Sequence, residues 1–162
     1  MATHSHSEQI RILDAHDEAS ADTVRRLFRD YQHWLAEDLC FQGFEQELAT
    51  LPGKYAPPKG AILIAWVNDE AAGCVGMRPL EAGICEMKRL WVADSFRSLG
   101  LGRRLADGII ERARTAGYER MRLDTLGHMK AARALYKARD FYEIPAYYGN
   151  PGPDVLYLEK RL

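Results

Sequence analysis

The chain has 162 residues, the length of one ordinary domain, and its apolar fraction of 47% and charged fraction of 28% are typical of soluble globular proteins. A formal net charge of −1 gives no reason to expect nucleic acid or a membrane as a partner, and no apolar run approaches the length of about 20 residues that spans a bilayer. The N-terminal "MATHSHSEQ" lacks the segments of a secretory signal, and three cysteines without a CxxC pair disfavour a disulfide framework or a metal site, so we expect a cytoplasmic protein.

The first part of the chain predicts a strand, two helices and a loop. Residues 1–8 are polar and are expected to form a flexible tail, and "QIRILDA" then alternates as a strand does. Apolar residues at helical spacing predict an amphipathic helix over 21–39, and a shorter helix, "FEQELATL", stops before Pro52. "KYAPPKG" reads as a loop because consecutive prolines propagate neither regular structure.

The rest of the chain predicts a mixed α/β domain. Strands over 61–67, 73–80 and 84–92 follow each other closely, which is typical of an antiparallel meander. The later elements predicted are a helix over 102–116, a strand over 120–126, a helix over 129–139 and a strand over 155–162. Because the early strands are not separated by helices, this is not a regular βαβ alternation. No repeat or linker is visible, so we read 1–162 as a single domain.

The segment "RSLGLGRR" places two glycines ahead of a helix, and the residues alone leave several interpretations open. A Walker A loop is excluded because its spacing and its Lys-Ser/Thr pair are missing. A dinucleotide fingerprint gains from Asp124, 22 residues beyond Gly102, but Leu105 occupies the third glycine position. An R-x-x-G-x-G unit from Arg97 to Gly102 can instead converge backbone N–H groups on a pyrophosphate. A solvated helix start is the remaining alternative.

The segment "EMKRLWVADSFRSLGLGRRLADGII" resembles the central motif of the GNAT superfamily, the acetyl-coenzyme-A-dependent N-acetyltransferases. The resemblance continues through "RMRLDTL" and "MKAARALYKARDF". It implies a mostly antiparallel sheet that is splayed between its fourth and fifth strands, with helices on both faces. It also makes a homodimer a reasonable expectation. Two positions depart from the family pattern: Met129 stands where members often have Asn, and Asp140 where they often have Gly.

The resemblance implies acetyl-coenzyme A as co-substrate and assigns the residues that bind it. The strand before the loop would contribute its main chain, the loop its N–H groups and arginines, and the following helix its first turn. The implied cofactor-binding residues are Leu90, Trp91, Val92, Arg97, Ser98, Leu99, Gly100, Leu101, Gly102, Arg103, Met129 and Ala132.

Two residues are candidates for the catalytic roles. Glu86 lies eleven residues before Arg97, the interval at which some family members place a catalytic Glu, and it would act as general base. The alternative is that Glu86 pairs with Lys88 or with a cross-strand arginine. Tyr136 matches the family's helical tyrosine and would protonate the leaving sulfur, although a tyrosine at this spacing is ordinarily a core residue.

By the resemblance, the acceptor site is built from the early helices and the final loops, which are rich in aromatic residues. The candidate contacts are Trp34, Phe41, Tyr148 and Asn150, each with plain packing as the alternative. Cys85 points away from Glu86 on its strand and is expected to be buried and inert, which favours direct transfer over an acyl-enzyme.

Taken together, the sequence predicts acetyl transfer to a primary amine of a small molecule or an amino-acid-like acceptor. The alternatives are a peptide or protein amine, a non-catalytic acyl-coenzyme-A sensor and a nicotinamide oxidoreductase.

Overall fold

The structure is a computed structural model that describes residues 8–36 and 43–162. Its strands are β1 (Ile10–Asp14), β2 (Ala61–Val67), β3 (Glu70–Glu81), β4 (Ile84–Val92), β5 (Arg120–Leu126), β6 (Tyr142–Ile144) and β7 (Val155–Arg161). Its α-helices are α1 (Ala21–Leu35), α2 (Phe44–Ala49), α3 (Leu101–Thr115) and α4 (Lys130–Lys137), with short 3₁₀ turns at Glu18–Ser20, Gly53–Tyr55 and Asp94–Leu99. No helix in the described ranges is long and apolar enough to cross a membrane.

The seven strands form one sheet in the order β1-β2-β3-β4-β5-β7-β6. Every neighbouring pair is antiparallel except β4 and β5, which are parallel. These two strands pair at only three positions, from Ile84 with Arg120 to Glu86 with Arg122. Beyond Glu86 the two strands diverge, so the predicted splay between the fourth and fifth strands is confirmed.

A bulge in β4 changes the direction of its second half. Arg89 has a φ of 63°, in the left-handed region that non-glycine residues rarely adopt. The pairing with β3 shifts there, because Lys88 faces Gly76 whereas Trp91 faces Cys74. A Cβ on Gly73 would lie 2.6 Å from the carbonyl oxygen of Trp91, so the two strands approach too closely after the bulge for any side chain at position 73.

Helices cover both faces of the sheet, as expected. Alternating residues of β2 serve two cores, with Ile62 and Ile64 on one face and Leu63 and Ala65 on the other. The first core packs against α1 and α2, and the second packs against α3 and α4. The larger helical side chains that are almost fully buried are Val24, Leu27, Phe28, Phe44 and Leu48 on the first face and Leu101, Leu105 and Ile109 on the second.

Two predicted boundaries differ from the structure by three residues or more. Helix α1 ends at Leu35 and not at residue 39, because Ala36 turns into the left-handed region with a φ of 58° and its N–H bonds to the carbonyl of Gln32. Residue 39 itself lies outside the described residues. Strand β3 begins three residues earlier than predicted, because Asn68 adopts a φ of 54° and the chain reverses within Asn68 and Asp69.

Candidate active site

A cavity of about 550 Å³ opens where β4 and β5 diverge. Residues 87–92 of β4 form one wall, residues 123–126 of β5 form another, and residues from α1, the loop before α3, α4 and the segment before β7 complete it. The facing edges of β4 and β5 are therefore open to a ligand. Their main-chain N–H and C=O groups would otherwise hydrogen-bond to each other. Of the residues predicted from the sequence, those that line this cavity are Trp34, Leu90, Trp91, Val92, Arg97, Gly100, Gly102, Arg103, Met129, Ala132, Tyr136 and Asn150.

The glycine loop meets the cavity at the start of α3. Gly100 has a φ of 70° immediately before the helix, so its backbone conformation explains why this residue is glycine. A Cβ on Gly100 would meet nothing within 4 Å, and one on Gly102 would reach only Val92 at 4.0 Å. The space beside the first turn of α3 is therefore open, and the N-terminus of a 15-residue helix faces it with a positive dipole end.

Arg97 connects this loop to two cavity walls. Its Nε donates a hydrogen bond to the carbonyl oxygen of Val92 at 3.0 Å, and its guanidinium lies 4.9 Å from the ring centroid of Trp34. Trp34 was predicted as an acceptor contact, and its neighbour here is an arginine of the predicted cofactor loop. The aromatic face beside the cation holds the end of α1 against the loop.

The side chains of the remaining loop residues face away from the cavity. Leu101 is fully buried in the core of α3, Leu99 packs against the same core, and Ser98 is exposed. Only the main chain of these three residues is therefore suited to the ligand contact that the sequence predicts. Phe41, the remaining predicted acceptor contact, lies outside the described residues.

Glu86 is buried, with 2% of its surface exposed, and both of its oxygens accept hydrogen bonds. Arg78 Nε donates to Oε1 at 3.0 Å from the adjacent strand, and Tyr147 Oη donates to Oε2 at 2.7 Å. Lys88 Nζ lies 4.0 Å from Oε1. The alternative of an ion pair with a cross-strand arginine and with Lys88 is thus realised, and Glu86 precedes the stretch of β4 that lines the cavity.

Lys88 and Asp124 meet across the gap between β4 and β5. Both residues line the cavity, and Lys88 Nζ lies 3.9 Å from Asp124 Oδ1. Burial lowers the pKa of Lys88 to about 8, although the carboxylates of Glu86 and Asp124 act in the opposite direction. Asp124 also accepts hydrogen bonds from Tyr148 Oη and from Asn150 Nδ2, the second at 2.6 Å. Two predicted acceptor contacts therefore converge on one carboxylate.

Comparison with known proteins decides the family. The model of the acetyltransferase (GNAT) family matches residues 21–141. This protein belongs to the GNAT acetyltransferase family. An uncharacterised N-acetyltransferase of Schizosaccharomyces pombe is 41% identical over 145 residues, which cover 87% of this chain and 88% of that protein. Another, YjgM of Escherichia coli K12, is 30% identical and is covered over 81% of its length.

Solved structures agree on the fold of this GNAT acetyltransferase. An acyl-CoA N-acyltransferase from Klebsiella pneumoniae superposes with a TM-score of 0.75 at 26% identity, over 95% of this chain and 98% of that one. YncA of Salmonella typhimurium, solved with acetyl-CoA, superposes with a TM-score of 0.69 at 18% identity, over 94% of this chain and 93% of that one. The recognition of the family, the fold class and the enzyme class predicted from the sequence are confirmed.

Tyr136 of the GNAT acetyltransferase belongs to the core and to the cavity at once. Its ring packs edge-to-face against Phe141, with 5.6 Å between centroids, and only 7% of the residue is exposed. The residue lines the cavity, and its hydroxyl forms no hydrogen bond within the described residues. Burial raises the pKa of Tyr136, so the hydroxyl keeps its proton at neutral pH and can act as a donor.

The residues present fit acetyl-coenzyme A in three respects. The cavity is large enough for the acyl and pantetheine portions, its wall on β4 carries main-chain groups that β5 does not pair, and its loop end carries Arg97 and Arg103 beside the open space at Gly100. These are the complementary groups for amides and a pyrophosphate. Sequence reasoning did not predict that Asp124 lines the cavity, although a charged residue in a predicted strand could have indicated it. It treated Lys88 only as a partner of Glu86.

Proposed function

We propose that this GNAT acetyltransferase moves the acetyl group of acetyl-coenzyme A to a primary amine of a small molecule or an amino-acid-like acceptor, by direct attack in a ternary complex. The observation that carries the proposal is the cavity in the splay, which joins the glycine loop and its arginines at one end to a cluster of polar side chains at the other. Acetyl-coenzyme A supplies the activated acetyl group. The chain must bind and orient both substrates and manage the protons.

At the loop end, the first turn of α3 would bind the pyrophosphate through its N–H groups, with charge from Arg97 and Arg103. The main chain of Leu90 and Val92 would pair with the pantetheine amides, since β5 has left this edge of β4. A donor held at this edge points its thioester toward the polar end, where the acceptor enters. Met129 and Ala132 would close the other side of the thioester from the first turn of α4.

Tyr136 would donate a proton to the departing sulfur. Its hydroxyl is available for this role because it has no hydrogen-bond partner among the described residues and its raised pKa keeps it protonated. Glu86 would take part in removing the proton from the acceptor amine. Because both of its oxygens already accept hydrogen bonds, Glu86 would act through the neighbouring Lys88 and Asp124.

Direct transfer is supported by the state of Cys85. Its thiol is fully buried and burial raises its pKa to about 12, so it is a poor nucleophile. Cys85 lies on β4 next to Glu86 but faces the opposite core, which contains α3. An acyl-enzyme on this cysteine is therefore disfavoured. Free buried thiols also support a cytoplasmic location, where cysteines stay reduced.

The acceptor class is supported by the polar end of the cavity. Asp124, Asn150 and the Tyr148 hydroxyl form a connected hydrogen-bonded group beside Lys88. Such a group suits a compact polar amine. A peptide or protein amine would need an open path along the same wall, and a sensor would bind acetyl-coenzyme A without turnover. Both are outcomes of the test.

The first experiment is titration calorimetry with acetyl-coenzyme A and, in parallel, with NAD. We expect micromolar binding of acetyl-coenzyme A by the wild type, none of NAD, and a large loss of binding in the Arg97→Ala, Gly100→Ala double variant. Thiol release is then measured with a panel of alkylamines, dipeptides and a longer peptide. Binding of acetyl-coenzyme A without thiol release with any amine would favour the sensor alternative. Thiol release with the longer peptide alone would indicate a peptide or protein acceptor.

A further inference from the structure

We propose that Lys88 is a catalytic residue of this enzyme: its amino group receives the proton that the acceptor ammonium must lose before the amine can attack. The inference rests on the proposed acetyl transfer and deepens it. It assigns to Lys88 the general-base role that was predicted for Glu86, and it identifies the acceptor as an amine that enters in its protonated form.

Lys88 is placed where the acceptor must arrive. Its side chain is 3% exposed to solvent and lines the cavity just before the bulge of β4, two residues from Leu90. Its Nζ lies 4.0 Å from Glu86 and 3.9 Å from Asp124, beyond hydrogen-bond distance, and it forms no hydrogen bond with the described residues. A buried amine with unused hydrogen-bonding capacity beside a cavity is set up to exchange a proton with a ligand.

The two carboxylates near Lys88 are less suited to that exchange. Glu86 accepts from Arg78 and Tyr147 and precedes the cavity-lining part of its strand. Asp124 lines the cavity, but one of its oxygens accepts from both Tyr148 and Asn150. A carboxylate oxygen that already accepts hydrogen bonds has fewer lone pairs left for a proton from the acceptor. Lys88 is the titratable group of the cluster without such bonds.

The charges around Lys88 favour one cation in this part of the cavity. An entering ammonium therefore favours the neutral form of Lys88. The groups that face it from β3, β4, β5 and the segment before β7 are Arg78, Glu86, Arg89, Asp124 and the ring of Tyr148, whose centroid lies 5.8 Å from Nζ. With Lys88 neutral, Glu86 and Asp124 can stabilise an entering ammonium. With Lys88 charged, two ammonium groups would share one cavity, and this repulsion lowers the pKa of both.

Burial brings the pKa of Lys88 to about 8, so part of the enzyme carries the neutral amine near neutral pH, and this part grows as the pH rises. The acceptor ammonium gives one proton to Lys88 Nζ, which later passes it to solvent. The acceptor nitrogen then forms the C–N bond to the acetyl carbon as the C–S bond breaks. In this step Tyr136 gives its proton to the sulfur, and the nitrogen loses its second proton. Solvent in the cavity carries that second proton to Tyr136, which restores its hydroxyl.

The test is the pH profile of kcat/KM for an alkylamine found in the thiol-release panel, measured for the wild type, Lys88→Met and Lys88→Arg. The wild type should rise with a midpoint near pH 8 and fall as the acceptor itself loses its proton near its pKa of about 10.4. Both variants should lose about 100-fold at pH 7.5, because general-base catalysis contributes at least this much. Neither should show the midpoint near pH 8.

Three comparisons keep the outcome clear. Lys160→Met removes another buried lysine, which donates to the carbonyl of Arg139 and lies outside the cavity, and it should retain the wild-type profile. Calorimetry with acetyl-coenzyme A checks that each variant is folded and binds the donor. A dipeptide α-amine, with a pKa of about 8, needs less help to lose its proton and should lose less than the alkylamine in Lys88→Met.

The inference would be overturned if Lys88→Arg were as active as the wild type, since a permanently charged arginine cannot accept the proton. A wild-type profile that simply follows the acceptor's own pKa would also overturn it, whatever the variants do. Failure of the proposed function looks different: the wild type would then release no thiol with any amine, and no profile could be recorded.

Discussion

Arg89 Nε donates a hydrogen bond to Glu47 Oε2 at 3.1 Å, and Arg89 Nη2 donates to Oε1 of the same carboxylate at 3.3 Å. This bidentate ion pair joins the bulge of β4 to helix α2. The Arg89 side chain is 1% exposed and that of Glu47 10%. The rings of Tyr31 and Phe44 lie against the guanidinium. The bulge that redirects β4 into the cavity wall is thus stabilised by a buried charge from another element.

Glu47→Ala should destabilise the protein by about 3–5 kcal/mol, because it leaves the Arg89 guanidinium buried without its partner. The free energy of unfolding is measured by urea denaturation. Glu45→Ala is the matched control, since Glu45 lies on the same helix and its pair with Arg29 is exposed, with 66% of the Glu45 side chain open to solvent. The control should cost less than about 1 kcal/mol. Equal losses in the two variants would contradict the role assigned to Arg89.

Gly100→Ala should weaken acetyl-coenzyme A binding more than it destabilises the fold. Gly100 has a φ of 70° and Gly117 a φ of 88°, and a Cβ on either meets nothing within 4 Å. Alanine at either position should therefore cost about 1 kcal/mol of stability through backbone strain. Only Gly100 lies beside the cavity, so only its variant should raise the Kd for acetyl-coenzyme A, as measured by calorimetry. A comparable effect on the Kd from Gly117→Ala would argue against a binding loop at Gly100.

Tyr136→Phe should lower kcat by about 100-fold, because the change removes the hydroxyl and keeps the ring that packs on Phe141. The KM for acetyl-coenzyme A should change much less. Tyr55→Phe serves as the control, since Tyr55 is also buried but contacts Phe28 and Glu47 away from the cavity. Steady-state thiol release measures both variants. An unchanged kcat in Tyr136→Phe would return Tyr136 to a purely structural role.

Stability should fall at alkaline pH because of buried tyrosines. Burial raises the pKa values of Tyr55 and Tyr136 above the value of 10.0 for an unburied tyrosine. The folded state therefore keeps protons that the unfolded state releases, and the free energy of unfolding decreases as the pH rises through about 10. Urea denaturation between pH 8 and pH 11 should show this loss, and Tyr55→Phe should show a shallower one. If the free energy of unfolding of Tyr55→Phe fell with pH as steeply as that of the wild type, Tyr55 would not contribute to the alkaline destabilisation.

The sequence predicted the features that depend on neighbours along the chain. Helical spacing marked α1, and alternation marked β1. Strand-like runs in close succession marked β2 to β4, and the glycines with Arg97 marked the loop at the start of α3. These signals are local because side-chain period and backbone preference act over a few residues. Together with the order of elements, they were sufficient to recognise the resemblance to the family, and that resemblance implied the splay between β4 and β5.

Only the tertiary structure decided which side chains meet in the cavity. Lys88 and Asp124 come together because β4 and β5 are neighbours whose pairing stops at Glu86, and no local pattern encodes that endpoint. The partners of Glu86 likewise come from the strand register that brings Arg78 beside it and from the distant Tyr147. The chemistry of a carboxylate or an amine depends on its burial and its partners, and long-range packing fixes both.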